Sequence, residues 1–131
     1  MRKGFTLLEL LIVVVILGIL ALIAAPTLLN AVDTAKNGAV SANVSAAASS
    51  ITSQFALNTG QTATASVAAI LPTLAANQDP VNSALPAFVQ GTAGAAGQVA
   101  LSPVDASDEV IITAYNYKGA VLLTKTVQAP Q

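Results

Sequence analysis

The stretch MRKGFTLLELLIVVVILGILALIAAPTLLN, residues 1–30, decides what kind of protein this is. Positions 10–32 hold 23 consecutive residues without a charged side chain, almost wholly apolar through Ala25. About 20 apolar residues in helical form cross the hydrocarbon core of a bilayer. The run exceeds the roughly 7–15 residues of an ordinary secretory h-region, so it reads as a retained membrane segment rather than a removed one. Arg2 and Lys3 precede it and only Asp33 and Lys36 follow closely, which puts the N-terminus in the cytoplasm and the remaining chain outside. A carboxylate, Glu9, stands immediately before this run. An uncleaved anchor with Glu9 lying at the interface is the plain alternative.

Composition narrows the chemistry. Hydrophobic residues make up 54% of the 131 and charged residues 8%, with a formal net charge of −1. Such a balance suits one small domain joined to a lipid-facing segment. The five cations are Arg2, Lys3, Lys36, Lys118 and Lys125, and with none between Lys36 and Lys118 the chain alone has no surface for a nucleic-acid backbone. With no Cys and no His, disulfides, thiolate or imidazole catalysis and the usual zinc sites are excluded. The chain shows no convergent acid pair and no Ser or Lys nucleophile motif, so neither an enzyme nor a cofactor is expected.

Beyond the apolar run a helical period continues. Val40, Val44, Ala47, Ile51 and Phe55 fall within about 80° of a helix surface, while Ser41, Ser45, Ser49 and Thr52 gather elsewhere on it. The apolar stripe is expected to face a small head. Ala35, Ala39, Ala42 and Ala46 lie around the other face, where small side chains let helices approach closely. From Phe5 to about residue 58 the helix would be roughly 80 Å long. Gly18 and Pro26 interrupt it: proline removes a backbone donor at a cost of about 3 kcal/mol, and glycine weakens a helix by up to about 1 kcal/mol.

Thr59 and Gly60 give a turn signal, after which the chain is rich in Thr, Ala, Asn, Gly and Pro. Ser66 is placed as the cap of a short helix over residues 67–71, interrupted or restarted at Pro72 and finished near Asn77. Residues 87–90 and 99–101 read as short strands separated by a flexible Gly/Ala loop at 91–97. Residues 110–117 and 120–127 read as the strongest strand pair, joined by Lys118 and Gly119 as a tight turn. Val110, Ile112 and Ala114 share one face with Val121, Leu123 and Val127. Lys125 spoils that face, so the pattern leaves open which side is buried. Asp105, Asp108 and Glu109 form an acidic loop before the pair, a weak candidate for a hard cation such as Ca²⁺. The spacing is not that of an EF-hand, and a solvated acidic turn is the commoner explanation. Asn43, Val44 and Ser45 match a glycosylation triplet in mid-helix and carry little weight.

Gly4-Phe5-Thr6-Leu7-Leu8-Glu9 followed by an apolar helix resembles the class III signal of bacterial type IV prepilins and type II secretion pseudopilins. The likeness extends through Asn30 and includes Gly18 and Pro26. The resemblance implies that a prepilin peptidase at the cytoplasmic face cuts between Gly4 and Phe5 and that Phe5 becomes the N-methylated first residue. The new α-amine on Phe5 then needs compensation in an apolar filament core, where an unpaired charge costs several kcal/mol. Glu9 of an incoming subunit can supply it, which makes Glu9 a device for axial register. The competing reading of Glu9 is a helix-end charge worth at most about 1 kcal/mol. In pilins the segment between the counterparts of Gly18 and Pro26 is helical or gently kinked and can extend on packing.

Together these readings give an α+β type IV pilin fold: a long N-terminal helix, one half membrane-spanning and one half amphipathic, packed on a small antiparallel β-sheet head. Residues 1–4 are the leader, 5–32 the membrane and filament-core helix, 33–58 its amphipathic half, and 59–131 the head with its C-terminal hairpin. The resemblance implies a structural subunit that waits in the inner membrane and then polymerises into an extracellular pilus. Its partners would be copies of itself, the prepilin peptidase and the inner-membrane assembly machinery, and the filament would serve adhesion, twitching motility or DNA uptake. A type II secretion pseudopilin is the alternative, distinguished by a tightly bound Ca²⁺ in the C-terminal loop.

Overall fold

The computed structural model describes residues 4–92 and 94–130. In chain order the elements are α1 (Leu7–Leu57), α2 (Ala63–Leu74), β1 (Phe88–Gln90), β2 (Val99–Val104), β3 (Glu109–Tyr115) and β4 (Val121–Gln128). They form two compact units, one ending at Thr34 and one beginning at Ala35, and α1 contributes to both.

In the first unit α1 is unbroken across Gly18 and Pro26. Proline at position 26 deprives the Leu22 carbonyl of its usual donor, and just beyond it the Thr27 hydroxyl donates to the Ala24 carbonyl at 2.8 Å. Every described residue up to Val32 is exposed in the isolated chain. One helix among the described residues, α1, is long and apolar enough to cross a membrane.

The second unit is built on the stripe read from the sequence. Val40, Val44, Ala47, Ile51 and Phe55 are all buried, with Ala48 beside them. They join Val67, Ile70 and Leu74 of α2 and Val99, Leu101, Val110, Ile112 and Ala114 of the sheet in one apolar cluster. Elsewhere on the helix, Ser41, Ser45 and Ser49 donate their hydroxyls to the carbonyls four residues back, those of Asn37, Ser41 and Ser45.

Helix α2 begins earlier than its sequence suggested. Thr62, not Ser66, is the N-cap, and its hydroxyl accepts the Ala65 N–H at 3.2 Å. Ser66 lies inside the helix, fully buried. Pro72 neither stops nor restarts α2; it falls in the last turn and leaves the Ala68 carbonyl, one turn back, without its usual donor.

The sheet has the order β1-β2-β3-β4. Strands β2, β3 and β4 are antiparallel neighbours, while β1 runs parallel to β2, so the sheet is mixed. A parallel pair ordinarily needs a crossover of a dozen residues or more. Here β1 is three residues long, about 10 Å, and the short link between the two strands suffices to return the chain to the start of the pair. Strand β2 runs on to Val104 through Pro103. Proline is tolerated there because β1 pairs only as far as Leu101, leaving no ladder bond for it to break on that side.

The face of β3 that the sequence left open is resolved by its alternation. Val110, Ile112 and Ala114 are buried, while Ile111, Thr113 and Tyr115 are half-exposed. Lys125 pairs across from Ile112 and spoils nothing. With Val127 it borders a groove against Ala48, Ser49, Thr52 and Ser53 of α1, and it remains exposed. The turn between β3 and β4 is wider than two residues. Asn116 closes it, its Oδ1 accepting from the Lys118 and Ala120 N–H groups at 2.9 and 3.0 Å. Gly119, with φ of 80°, supplies the left-handed step.

The described residues of the 91–97 loop are pinned rather than free. Gln98 is buried and bridges this loop to Pro86: its Oε1 accepts the Ala95 N–H and its Nε2 donates to the Pro86 carbonyl, both at 2.8 Å. The Tyr115 hydroxyl donates to the Thr92 carbonyl at 3.0 Å. At Gly97, with φ of 88°, a Cβ would collide with Asp79 Oδ1 and press on the Val81 side chain.

Candidate functional site

A helix start leaves four N–H groups without partners, and the way α1 satisfies them gives Glu9 a structural role. Thr6, the last residue before the helix, accepts the Glu9 N–H on its hydroxyl at 3.3 Å. In return Glu9 Oε2 accepts the Thr6 N–H at 3.0 Å and the Thr6 hydroxyl at 2.9 Å. This is a capping box, the reciprocal arrangement of Thr-x-x-Glu. Charge alone leaves out this role of Glu9. Thr6, the other half of the box, was the missed residue, although Thr three positions before Glu at the head of an apolar run is its recognised signal.

Gly4 and Phe5 lie ahead of α1, in exposed, non-helical backbone. A peptide bond at this junction is open to a protease without unwinding a helix. Nothing lies within 4 Å of where a Gly4 Cβ would be, so space in the folded chain does not demand glycine there. Phe5 is 78% exposed and makes no core. Gly18 is likewise uncrowded. Around Pro26, Ala21, Ala24, Ala25, Thr27, Leu28 and Ala31 line a shallow apolar groove, where small side chains leave the backbone approachable.

The acidic cluster of the sequence does not come together. Among the described residues no three metal-binding side chains converge. Asp105 is spent on α2, its Oδ1 accepting the Thr64 N–H at 2.8 Å. Asp108 turns the chain with φ of 47°, and its carbonyl accepts the Ala129 N–H at 2.9 Å. Glu109 opens β3 opposite Gln128. Sequence proximity suggested a cation site because it is blind to which acids are drawn off by a helix end or a strand.

Residues 1–25 match the prokaryotic N-terminal methylation motif. The chain is also similar to the type IV narrow pilus major component PilA5 of Thermus thermophilus, at 48% identity over 59 residues. That similarity covers 45% of this chain and 47% of the relative, so the chain spans about half the length of the curated relative it matches. No solved structure matches. A methylation motif at the N-terminus, similarity to a pilin over part of its length, and a long apolar helix whose later part packs on a small mixed sheet all point the same way: the chain resembles the type IV pilins.

Proposed function

We propose that this protein is a structural subunit of a type IV pilus, held in the inner membrane by its apolar helix and then polymerised through that helix into an extracellular filament. The observation that carries this reading is exposure. From Leu7 to Val32 the large apolar side chains of α1 stand open in the isolated chain, between 43% and 84% exposed. An apolar surface of that extent requires lipid or other copies of the same helix around it. The match to the methylation motif supports a cut between Gly4 and Phe5 and N-methylation of Phe5. On this reading Glu9 has two tasks: it caps its own helix, and it meets the Phe5 amine of a neighbouring subunit, setting the axial register. Gly18 and Pro26 mark the stretch of α1 that yields when subunits pack. The prepilin peptidase and the assembly machinery of the inner membrane are its partners, and adhesion, twitching motility and DNA uptake are the uses such a filament serves. A pseudopilin would be favoured by a cation held in the C-terminal loop, and Asp105 is engaged elsewhere.

Imaging filaments purified from the native cell, with mass spectrometry of their subunits, tests the proposal. The expected subunit begins at N-methylated Phe5. Filaments made of another protein, or of chains that retain Met1, overturn it.

A further inference from the structure

Three cations lie beyond the apolar run, Lys36, Lys118 and Lys125, and the fold brings two of them to one end of the head. The tip of the β3–β4 hairpin is tied to α1 by the Tyr117 N–H, which donates to Asn37 Oδ1 at 3.3 Å across 80 positions of sequence. Asn37 follows Lys36 directly, and Tyr117 precedes Lys118. The Lys118 Nζ lies 5.3 Å from the centroid of the Tyr117 ring, Lys118 is exposed, and Val121 beyond it is 58% exposed. One end of the head therefore gathers an aromatic ring, the exposed Lys118, an open aliphatic side chain and, beside Asn37 in the chain, the half-buried Lys36. Membrane–water interfaces collect this combination: the ring sits at headgroup level while lysines lay their stems on apolar surface and their heads in water.

Chain length brings this end to the bilayer. Asn37 comes five residues after Val32, the last residue of the uncharged run. Five residues reach at most about 18 Å even when fully extended. With the run in hydrocarbon, the hairpin tip stays within reach of the headgroup layer however the head is oriented.

We propose that the hairpin tip, with Lys36, is a docking foot that binds anionic phospholipid headgroups on the outer face of the membrane carrying the span, before the subunit enters a filament. The inference rests on reading the apolar run as a membrane span. Asp33, three positions before Lys36 on α1, subtracts one charge, so the foot carries a net charge of about +1. It would be ineffective in free solution and works because the span holds it at the surface, where effective concentration replaces affinity. Lys125 lies away from the tip, in the groove beside Ser49 and Thr52, and serves as an internal reference.

The full chain is reconstituted in vesicles of phosphatidylcholine alone or with roughly one-third phosphatidylglycerol. A membrane-impermeant acylating reagent then labels the lysines, which are read by mass spectrometry. Labelling of Lys36 and Lys118 relative to Lys125 is expected to slow about five-fold in the anionic vesicles, the effect of a Lys near an anionic surface. High salt should abolish the difference, because it screens surface attraction. Lys118→Gln should still float with the vesicles and should return Lys36 labelling toward that of Lys125. Equal labelling ratios in the two vesicle types, with the protein floating in both, overturn the foot and leave the span intact. Failure to float in either overturns the span and the foot together.

Discussion

At the scale of single residues, Glu9 is where two physical demands meet. As the acid of a capping box with Thr6 it satisfies helix donors, a contribution of about 1 kcal/mol. As the proposed partner of a neighbour's α-amine it offsets a buried charge worth several kcal/mol. Substitutions separate the two. Thr6→Ala removes both hydroxyl bonds of the box and leaves the carboxylate charge, so filaments should remain abundant. Glu9→Val should be processed and inserted, since valine suits a membrane helix better than glutamate, and should then accumulate in the inner membrane without surface filaments. Glu9→Gln should be intermediate, because an amide accepts a hydrogen bond but carries no charge. Electron microscopy of the three strains, with the substitutions verified in the protein, reads the outcome. Normal piliation with Glu9→Val rejects the register role, and equal loss with Thr6→Ala makes capping the whole effect. Gly97 poses a simpler case. Gly97→Ala should destabilise the head by about 3 kcal/mol or more in urea unfolding, since a Cβ at φ of 88° would displace Asp79 Oδ1 from its bonds to Val81 and Asn82.

Among the elements, what could be read in advance was periodic. The stripe from Val40 to Phe55 repeats at helical spacing over four turns, and each of its five residues is buried. If Phe55 fills the core as its 2% exposure indicates, Phe55→Ala should cost about 3–5 kcal/mol in a fragment beginning at Ala35; an unchanged melting point would put the stripe outside the core. Elements whose boundaries depend on distant partners were not legible. Helix α2 is capped partly by Asp105, 41 residues away from Thr64, and no local pattern announces such a bond. The parallel seat of β1 depends on a three-residue pairing with β2, too short to leave an alternation. The hairpin is legible, but its turn is wider than the strand pattern implies, because Asn116 continues that pattern in sequence while its side chain folds over the loop. Asp105→Ala should cost the head about 1 kcal/mol as a lost cap, and that cost should be the same with Ca²⁺ or with a chelator present. A Ca²⁺-dependent melting point lost in Asp105→Ala would restore the cation reading.

On the scale of the whole molecule, the division at Thr34 and Ala35 separates a unit with an apolar core from one whose apolar side chains lie open. The later unit has its own apolar cluster drawn from α1, α2 and the sheet. The earlier unit buries none of its described side chains and has no folded state that water favours on hydrophobic grounds. The composition of residues 10–32 announced this asymmetry, since a helix apolar on every side can be stable only within lipid or other helices. A fragment beginning at Ala35 should therefore be a soluble, folded monomer by ultracentrifugation, while the full chain should need detergent or lipid. The same fragment, exported in cells that also make the full chain, should be absent from their filaments. Its cluster can fold, but it lacks Phe5, Glu9 and the apolar surface through which subunits are proposed to join. Incorporation of the fragment at levels near those of the full chain would mean that contacts between heads hold the filament together, and that the exposed helix serves the membrane alone.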